Sequence, residues 1–215
     1  MIEIKRTEVY GWESAIHGMR NPMNSWDKSD SCFWYQNMAD RMNIGPNDLK
    51  LMKNLVKAGT DHSKFMRMIV VTCDITAPLY WWKEFDTYKV GTVRDSCSTM
   101  HKIAAKEFEL DDFSHEHLYD DEDNPTYYKC PFEVLACLCI CLNYYRERYL
   151  RTKDKKDWWQ MIQLLPSSYN QKATIQLNYQ VLRNMYHSRK NHKLDEWREF
   201  CNWTKSLPYS ELITE

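Results

Sequence analysis

Hydrophobic and polar positions along the first part of the chain predict a strand, a mixed segment and a helix. Apolar residues recur through 1–10, which indicates a first strand. Residues 11–45 are rich in aromatic residues and methionine, and we expect one or two short helices there. Residues 49–59 place apolar side chains at helical spacing and end at Gly59, a residue type common just after helix C-termini.

The rest of the pattern predicts a buried strand followed by helices. Residues 68–72 are apolar and β-branched, as in a buried strand. Residues 132–150 are apolar on nearly all sides, follow a proline and contain arginines near their end, so we expect a central buried helix with 153–157 as its exposed exit. Residues 178–189 carry a helical apolar stripe with polar ends, and 203–215 are expected to be a helix end and a tail.

Composition and charge limit the classes of protein. The chain has 215 residues, of which 43% are hydrophobic and 27% charged, as in globular proteins of one large or two small domains. Because 29 basic residues balance 30 acidic ones, we expect neither nucleic acid nor an anionic membrane as a partner. The longest apolar run, 134–142, is shorter than the roughly 20 residues of a membrane span, and the polar N-terminus does not resemble a signal peptide. We therefore expect a cytoplasmic protein.

Two groups of residues suggest a metal site at first sight. Cys137, Cys139 and Cys141 share one apolar segment, but at about 100° per residue Cys139 points away from the other two, which favours small buried hydrophobic residues. The acidic run 107–124 contains two histidines, but its spacing fits no established ligand pattern and is typical of a solvated loop. We expect no metal, and we expect the eight cysteines to stay reduced.

The segment 77–100 has the most distinctive chemistry. An aromatic run ending at Phe85 is followed by cations that alternate with hydroxyl side chains around Gly91. Cations, hydroxyls and a glycine backbone suit phosphate oxygens. On composition alone, an ordinary solvated loop after a buried strand is an equally good interpretation.

Residues 77–100 also resemble, without a gap, the motif of the flavin-dependent thymidylate synthases, in which a strand ending in AP precedes Q-W-x-R-H-R-x-x-S-x-N-E-x-S-x-R-Y. Ala77 and Pro78 are as in the family, and Glu84, Phe85, Lys89, Thr92, Asp95 and Cys97 stand for its Gln, Trp, second Arg, first Ser, Glu and second Ser. The departures are Thr87, Tyr88, Arg94 and Thr99, which replace the first Arg, the His, the Asn and the last Arg.

Residues 164–197 resemble a later block of the same family, LP-x(11)-N-x-R-S-L-x-N-F-L-x-L-R followed by A-Q-W-E. The positions that fall at the family's intervals are Pro166, Asn178, Leu182, Asn184 and Arg189. Gln180 replaces an arginine, and the D-E-W ending lies one residue late. Two blocks in the right order support the resemblance more strongly than either block alone.

The resemblance implies a fold, a reaction and an assembly. The family has an α/β (α+β) fold, a sheet with long buried helices, expected here as a single domain over 1–215. It forms homotetramers that bind FAD in sites shared between subunits. Its reaction is the reductive methylation of dUMP by reduced FAD, with methylenetetrahydrofolate and NADPH as co-substrates. A related pyrimidine nucleotide as substrate, or a non-catalytic nucleotide-binding or assembly protein of the same fold, stays open.

The resemblance also implies roles for single residues. Arg189 would polarise the uracil as the catalytic residue. The positions that would bind the flavin cofactor are Tyr88, Lys89, Asn178, Gln180 and Asn184. The positions that would bind the nucleotide are Glu84, Arg94, Asp95, Cys97 and Thr99. Because several family cations are replaced, we expect weaker binding unless Lys89 and Arg94 compensate.

Overall fold

The computed structural model describes residues 1–34, 41–120 and 130–215. Within them the strands are β1 (Glu3–Tyr10), β2 (Cys32–Trp34), β3 (Arg41–Asn43), β4 (Val70–Pro78), β5 (Val93–Ser96) and β6 (Asn170–Asn178). The helices are α1 (Trp12–Arg20), α2 (Pro46–Lys57), α3 (Leu79–Phe85), α4 (Thr99–Lys102), α5 (Pro131–Thr152), α6 (Lys155–Leu164), α7 (Tyr179–Arg189), α8 (Asp195–Lys205) and α9 (Glu211–Thr214). This is a mixed α/β architecture, as predicted.

Four strands form one sheet, in the order β1-β4-β6-β5, and β2 pairs with β3 antiparallel in a small second sheet. By its contacts the chain divides into two compact units. Unit 1 comprises 1–3, 75–87 and 95–173, and unit 2 comprises 4–74, 88–94 and 174–215. Whether 1–215 acts as a single domain stays a prediction.

Unit 2 contains the first strand from residue 4 onward and the helix near residue 50, and both predictions are confirmed. α2 begins at Pro46, and Gly59 follows its end with a φ of 107°, a left-handed conformation that glycine adopts at little cost. The segment 11–45 contains α1, as expected, but also the unpredicted strands β2 and β3, and its residues 35–40 lie outside the described residues. Three residues per strand are too few for a periodic signal.

A buried carboxylate joins the irregular segment after α1 to α2. Asp48 is fully buried and accepts hydrogen bonds from Arg20 at 2.7 Å and from the hydroxyls of Ser29 and Ser31 at 2.7 Å. Backbone N–H groups of Asp30 and Ser31 complete its shell at 3.2 Å. Burial raises the pKa of Asp48, but the hydrogen bonds and the Arg20 charge outweigh it and leave the pKa below its usual value.

The C-terminal part of unit 2 is a packed helical layer. α7 contacts α8 and α9, and Leu182, Met185, Trp197 and Phe200 are fully buried. The expected C-terminal tail is wrong, because Leu212 and Ile213 of α9 are buried as well. Their apolar side chains fix the chain end against this layer.

Unit 1 is built around α5 and α6, which pack along each other. Its core comprises Ile103, Ala104, Phe108, Phe113, Leu135, Cys139, Leu142 and Met161. The exit after α5 is exposed over 153–156, as predicted, whereas Asp157 is buried and pairs with Arg148 at 3.3 Å. Helix α6 was not predicted.

Helix α5 is not the fully buried helix that its composition predicts. Only one face is buried, through Leu135, Cys139 and Leu142, while Ile140 is 71% exposed and Tyr144 is 55% exposed. Cys139 is buried, as expected, but Cys137 and Cys141 are only half-buried. Apolar residues all round a helix indicate burial on all sides, and this unit covers only one of them.

All eight cysteines lie among the described residues and are free thiols. Along 107–120 the acidic run forms a short 3-10 helix, Leu110–Asp112, and mostly irregular structure, while 121–124 lie outside the described residues. In the part of the chain that is described, no three His, Cys, Asp or Glu residues are grouped to hold a metal ion. The same part contains no helix long and apolar enough to cross a bilayer.

Candidate functional site

The candidate site in unit 2 begins where β6 becomes α7. Asn178 is the last residue of β6, in extended conformation, and its side-chain oxygen accepts a 3.0 Å hydrogen bond from the backbone N–H of Val181. Asparagine is favoured at this position because it satisfies an N–H that the helix leaves unpaired. The predicted stripe is therefore helical only from Tyr179, and Asn178 caps the helix.

The loop between α3 and β5, in which Tyr88 stands where the family motif has histidine, packs against the start of α7. Gly91 has a φ of +77°, and a Cβ atom built on it would lie 3.0 Å from Nδ2 of Asn178 and 3.1 Å from Cγ2 of Val181. Both the backbone conformation and the space therefore require glycine. The first motif block thus contacts the second at Asn178, as the shared resemblance suggests.

The same loop reaches the other end of α7 through Tyr88. Nε of Arg189 donates a 3.0 Å hydrogen bond to the Tyr88 hydroxyl. The guanidinium carbon lies 5.6 Å from the centre of the Tyr88 ring and 4.9 Å from that of Trp197. Since α7 rises about 1.5 Å per residue, this cluster lies roughly 16 Å along the helix from its Asn178 cap.

Trp197 forms the buried base of this cluster. Its side chain is fully buried, and its ring meets the Tyr88 ring edge-on with centroids 6.1 Å apart. The sequence interpretation noted the D-E-W ending but assigned Trp197 no role. Two rings beside one guanidinium constrain its orientation and strengthen the local electrostatics through cation–π contacts.

Gln180 and Asn184 lie on α7 with different exposures. Gln180 is buried, and its side-chain oxygen accepts a 3.0 Å hydrogen bond from the hydroxyl of Ser63, which is also buried. Its amide nitrogen lies 3.5 Å from the side-chain oxygen of the exposed Asn184. Ser63 was not singled out from the sequence, because its contact with Gln180 joins residues 117 positions apart.

Three further positions of the loop differ in exposure. Lys89 is exposed, and Arg94 is half-buried in β5. The hydroxyl oxygen of Thr92 is buried and has no hydrogen-bond partner among the described residues. A buried hydroxyl without a partner is unfavourable, so Thr92 is a position at which an added polar group would be stabilising.

The remaining predicted nucleotide-binding residues belong to unit 1. Glu84 lies on α3 and lines an open groove of about 710 Å³ together with Tyr80, Lys83 and Thr87. The backbone N–H of Cys97 donates a 2.9 Å hydrogen bond to the Lys172 carbonyl, and its own carbonyl accepts a 2.8 Å bond from the Gln171 side chain. Cys97 is exposed.

Asp95 is exposed near the end of β5, and Thr99 begins α4. The two units thus hold different members of the predicted set. Their roles in binding stay predictions.

Comparison with solved structures identifies the fold. The flavin-dependent thymidylate synthase of Helicobacter pylori, complexed with FAD and dUMP, is 17% identical with a TM-score of 0.69, over 98% of this chain and 97% of that chain. The UMP/dUMP methylase PolB of Streptomyces cacaoi, bound with 5-Br UMP, is 13% identical with a TM-score of 0.64, over 100% of this chain and 94% of that one. No family model matches the sequence, and a search of curated proteins finds no match.

These likenesses extend over nearly the whole of each chain and define the class of fold. The chain has the fold of the flavin-dependent thymidylate synthases and of the related nucleotide methylase. The resemblance carried by 77–100 and 164–197 is thereby confirmed at the level of the fold.

Proposed function

We propose that this chain is a flavin-dependent methyltransferase that reductively methylates dUMP or a related pyrimidine nucleotide. The observation that carries the proposal is the cluster of Arg189, Tyr88 and Trp197 at the end of α7. It brings the residue that the resemblance names as catalytic into contact with the altered motif. The fold, shared with two nucleotide-binding enzymes, supports the same assignment.

Arg189 would act as an oriented donor. A guanidinium carries five N–H groups in one plane, and Tyr88 accepts one of them. A planar donor held beside two rings can polarise a uracil carbonyl with little loss of orientation on binding. The exposed Lys89 and the buried Thr92 hydroxyl would bind polar groups of the ligands beside it.

The loop residues fit a bound flavin. Gly91 lets the backbone of the loop lie close to Asn178 and Val181 at the start of α7, and the orphaned Thr92 hydroxyl can bond to a cofactor oxygen. Tyr88, Lys89, Asn178, Gln180 and Asn184 would hold the group. Reduced flavin would supply a hydride there, with methylenetetrahydrofolate as carbon donor and NADPH as reductant.

We also propose that the protein is a homotetramer and that its sites need more than one subunit. The resemblance carried by 77–100 and 164–197 and the exposed apolar side chains of Ile140 and Tyr144 on α5 support an assembly.

A second candidate is a non-catalytic nucleotide-binding or assembly protein of the same fold. Thr87 and Tyr88 replace two family donors, and in this structure Tyr88 binds Arg189 itself. In that case the contact of Arg189 with Trp197 would serve only to hold α8 against α7.

The visible spectrum of the purified protein and calorimetric titration with dUMP and UMP test the proposal. Flavin absorbance, or its appearance after FAD is added, together with saturable nucleotide binding is expected. Nucleotide binding without flavin would favour the second candidate, and the absence of both would overturn the proposal.

A further inference from the structure

One exposed side of α5 carries residues spaced four, three, four, three and four positions apart. They are Glu133, Cys137, Ile140, Tyr144, Glu147 and Arg151, and we call them the α5 stripe. At about 100° per residue they fall within roughly 80° of one another, opposite the face that unit 1 buries. Such 3-4 spacing is typical of a helix seam that packs on another helix.

The centre of the α5 stripe is apolar and accessible. Ile140 is 71% exposed and Tyr144 is 55% exposed, next to the half-buried Cys137. An aliphatic and an aromatic side chain this exposed on one helix face are characteristic of an interaction surface. The Arg148 guanidinium of the same helix lies 5.6 Å from the centre of the Tyr144 ring, and the ring stays more than half exposed beside it.

The charges at the two ends of the α5 stripe are opposite and symmetric. Glu133 lies nine residues before Leu142, and Arg151 lies nine residues after it. Ile140 and Tyr144 lie two residues on either side of the same point. Two copies of α5 running antiparallel about a two-fold axis at the level of Leu142 would therefore pair Glu133 with Arg151, Ile140 with Tyr144 and Cys137 with Glu147, each twice.

This symmetry selects a second copy of the chain as the occupant. A two-fold interface requires a surface that is complementary to itself, and a stripe with an acidic start, an apolar centre and a basic end satisfies this only when antiparallel. Antiparallel helix dipoles add to the preference. Arg148 does not compete for Glu133, because it pairs with Asp157 of its own chain at 3.3 Å.

We infer that the α5 stripe is a two-fold self-association surface of this protein. The inference rests on the proposed homo-oligomer and names one of its interfaces and the register of that interface. Only a few apolar residues per copy form it, so like charges placed opposite each other at its ends should be enough to prevent the association.

Charge reversal tests the register directly. Glu133→Arg places two like-charge pairs in a two-fold dimer, and so does Arg151→Glu, so each variant should halve the mass measured by light scattering. An equimolar mixture of the two variants forms only opposite-charge pairs and should recover the wild-type mass, as should the double variant. Lys50→Glu, a reversal of an exposed charge on α2, should leave the mass unchanged.

The mixture controls for folding, because Glu133 also accepts a hydrogen bond from the Cys130 N–H, and a misfolded chain would not be rescued by its partner. A monomeric wild type would overturn both the inference and the proposed assembly. An oligomeric wild type whose mass resists both reversals, or falls without recovery on mixing, would overturn the α5 surface alone. Flavin and nucleotide binding are measured separately and decide the enzymatic proposal.

Discussion

Arg189 donates its Nε hydrogen to the hydroxyl of Tyr88 at 3.0 Å, across 101 positions of sequence. The contact therefore joins the two motif blocks. Arg189 is the residue that the resemblance assigns to catalysis, and Tyr88 is one of the residues that depart from the family motif. Tyr88 stands where the family has histidine, so the substitution places a ring and a hydroxyl against the guanidinium. The altered motif therefore holds Arg189 in place, whichever ligand it serves.

Replacing Arg189 by alanine should weaken nucleotide binding or turnover while leaving the fold intact. Loss of an oriented donor to a uracil carbonyl corresponds to about 2 to 4 kcal/mol, or at least about 30-fold in affinity or rate. Calorimetric titration with dUMP and UMP measures the change. The neighbouring exposed Lys190 offers a matched control, and Lys190→Ala should stay within about 0.5 kcal/mol. Equal affinities for the wild type and Arg189→Ala would remove the catalytic assignment.

Tyr88→Phe separates the hydroxyl of Tyr88 from its ring. The variant keeps the cation–π contact and loses one hydrogen bond, so we expect a loss of about 0.5 to 1.5 kcal/mol, or roughly 2- to 12-fold, in nucleotide affinity. Tyr119→Phe, at a position that is 73% exposed and outside both the candidate site and the α5 side chains, is the control and should not change nucleotide affinity. If Tyr88→Phe binds like the wild type, the hydrogen bond does not position Arg189 for the ligand.

Much of the fold could be predicted because long elements have a strong period. β1, α2, α5 and the helical part of 178–189 follow from apolar spacing and from Pro and Gly at helix ends. β6 was missed although Ala173, Ile175 and Leu177 alternate with exposed residues, because the helical period of α7 begins immediately after it. How far α5 is buried depends on what surrounds it, which periodicity does not determine.

The candidate site, like the fold, could be predicted only in part. Motif spacing singled out Arg189 and Tyr88 separately, but their contact depends on the path of the chain between them. The capping role of Asn178 had a local signal, since asparagine before a helix is a common N-cap. The part played by Trp197 had no comparable signal, because a fully buried tryptophan beside an arginine is visible only in three dimensions.

Asp48→Asn should destabilise unit 2 strongly. The change leaves Arg20 buried without its counter-charge, and breaking a buried ion pair in this way corresponds to about 3 to 5 kcal/mol. Urea unfolding at pH 7 measures it, with the exposed Asp27→Asn as the control.

The destabilisation caused by Asp48→Asn should also depend on pH. Because the pKa of folded Asp48 is below its usual value of 3.8, its stabilisation is complete above that value and is lost as the pH falls through the folded pKa. The difference between the wild type and Asp48→Asn should therefore shrink below about pH 4. A difference that is constant down to pH 3 would contradict a lowered pKa.

Gly91→Ala tests the contact between the loop and α7. Alanine at a φ of +77° is strained, and its Cβ would lie 3.0 Å from the Asn178 side chain. Gly59→Ala is a matched control, because Gly59 has a φ of +107° with open space around it. We expect about 1 to 2 kcal/mol of destabilisation for Gly59→Ala and more for Gly91→Ala, measured by urea unfolding. Equal losses would show that the loop moves away from α7 at no cost.

The last prediction concerns flavin affinity and salt. Thr87 and Tyr88 replace two cationic positions of the family motif, so the loop has a ring that can stack on a flavin but fewer charges that neutralise phosphate. Stacking contributes roughly 0.5 to 1.5 kcal/mol beyond burial, and the remaining charge would come from Lys89 and Arg94. Because Lys89 is exposed, its attraction for phosphate is screened by salt.

We therefore expect the purified protein to carry only part of its FAD. Fluorescence quenching during titration with FAD should show tighter binding at low salt than at high salt. Lys89→Ala should weaken binding at low salt and reduce the salt dependence, whereas Lys102→Ala, an exposed lysine on α4, should change neither. Tight binding that is insensitive to salt would mean that the loop charges do not hold the phosphates. If FAD binds at neither salt concentration, the non-catalytic candidate is favoured, because a nucleotide site can persist without the flavin.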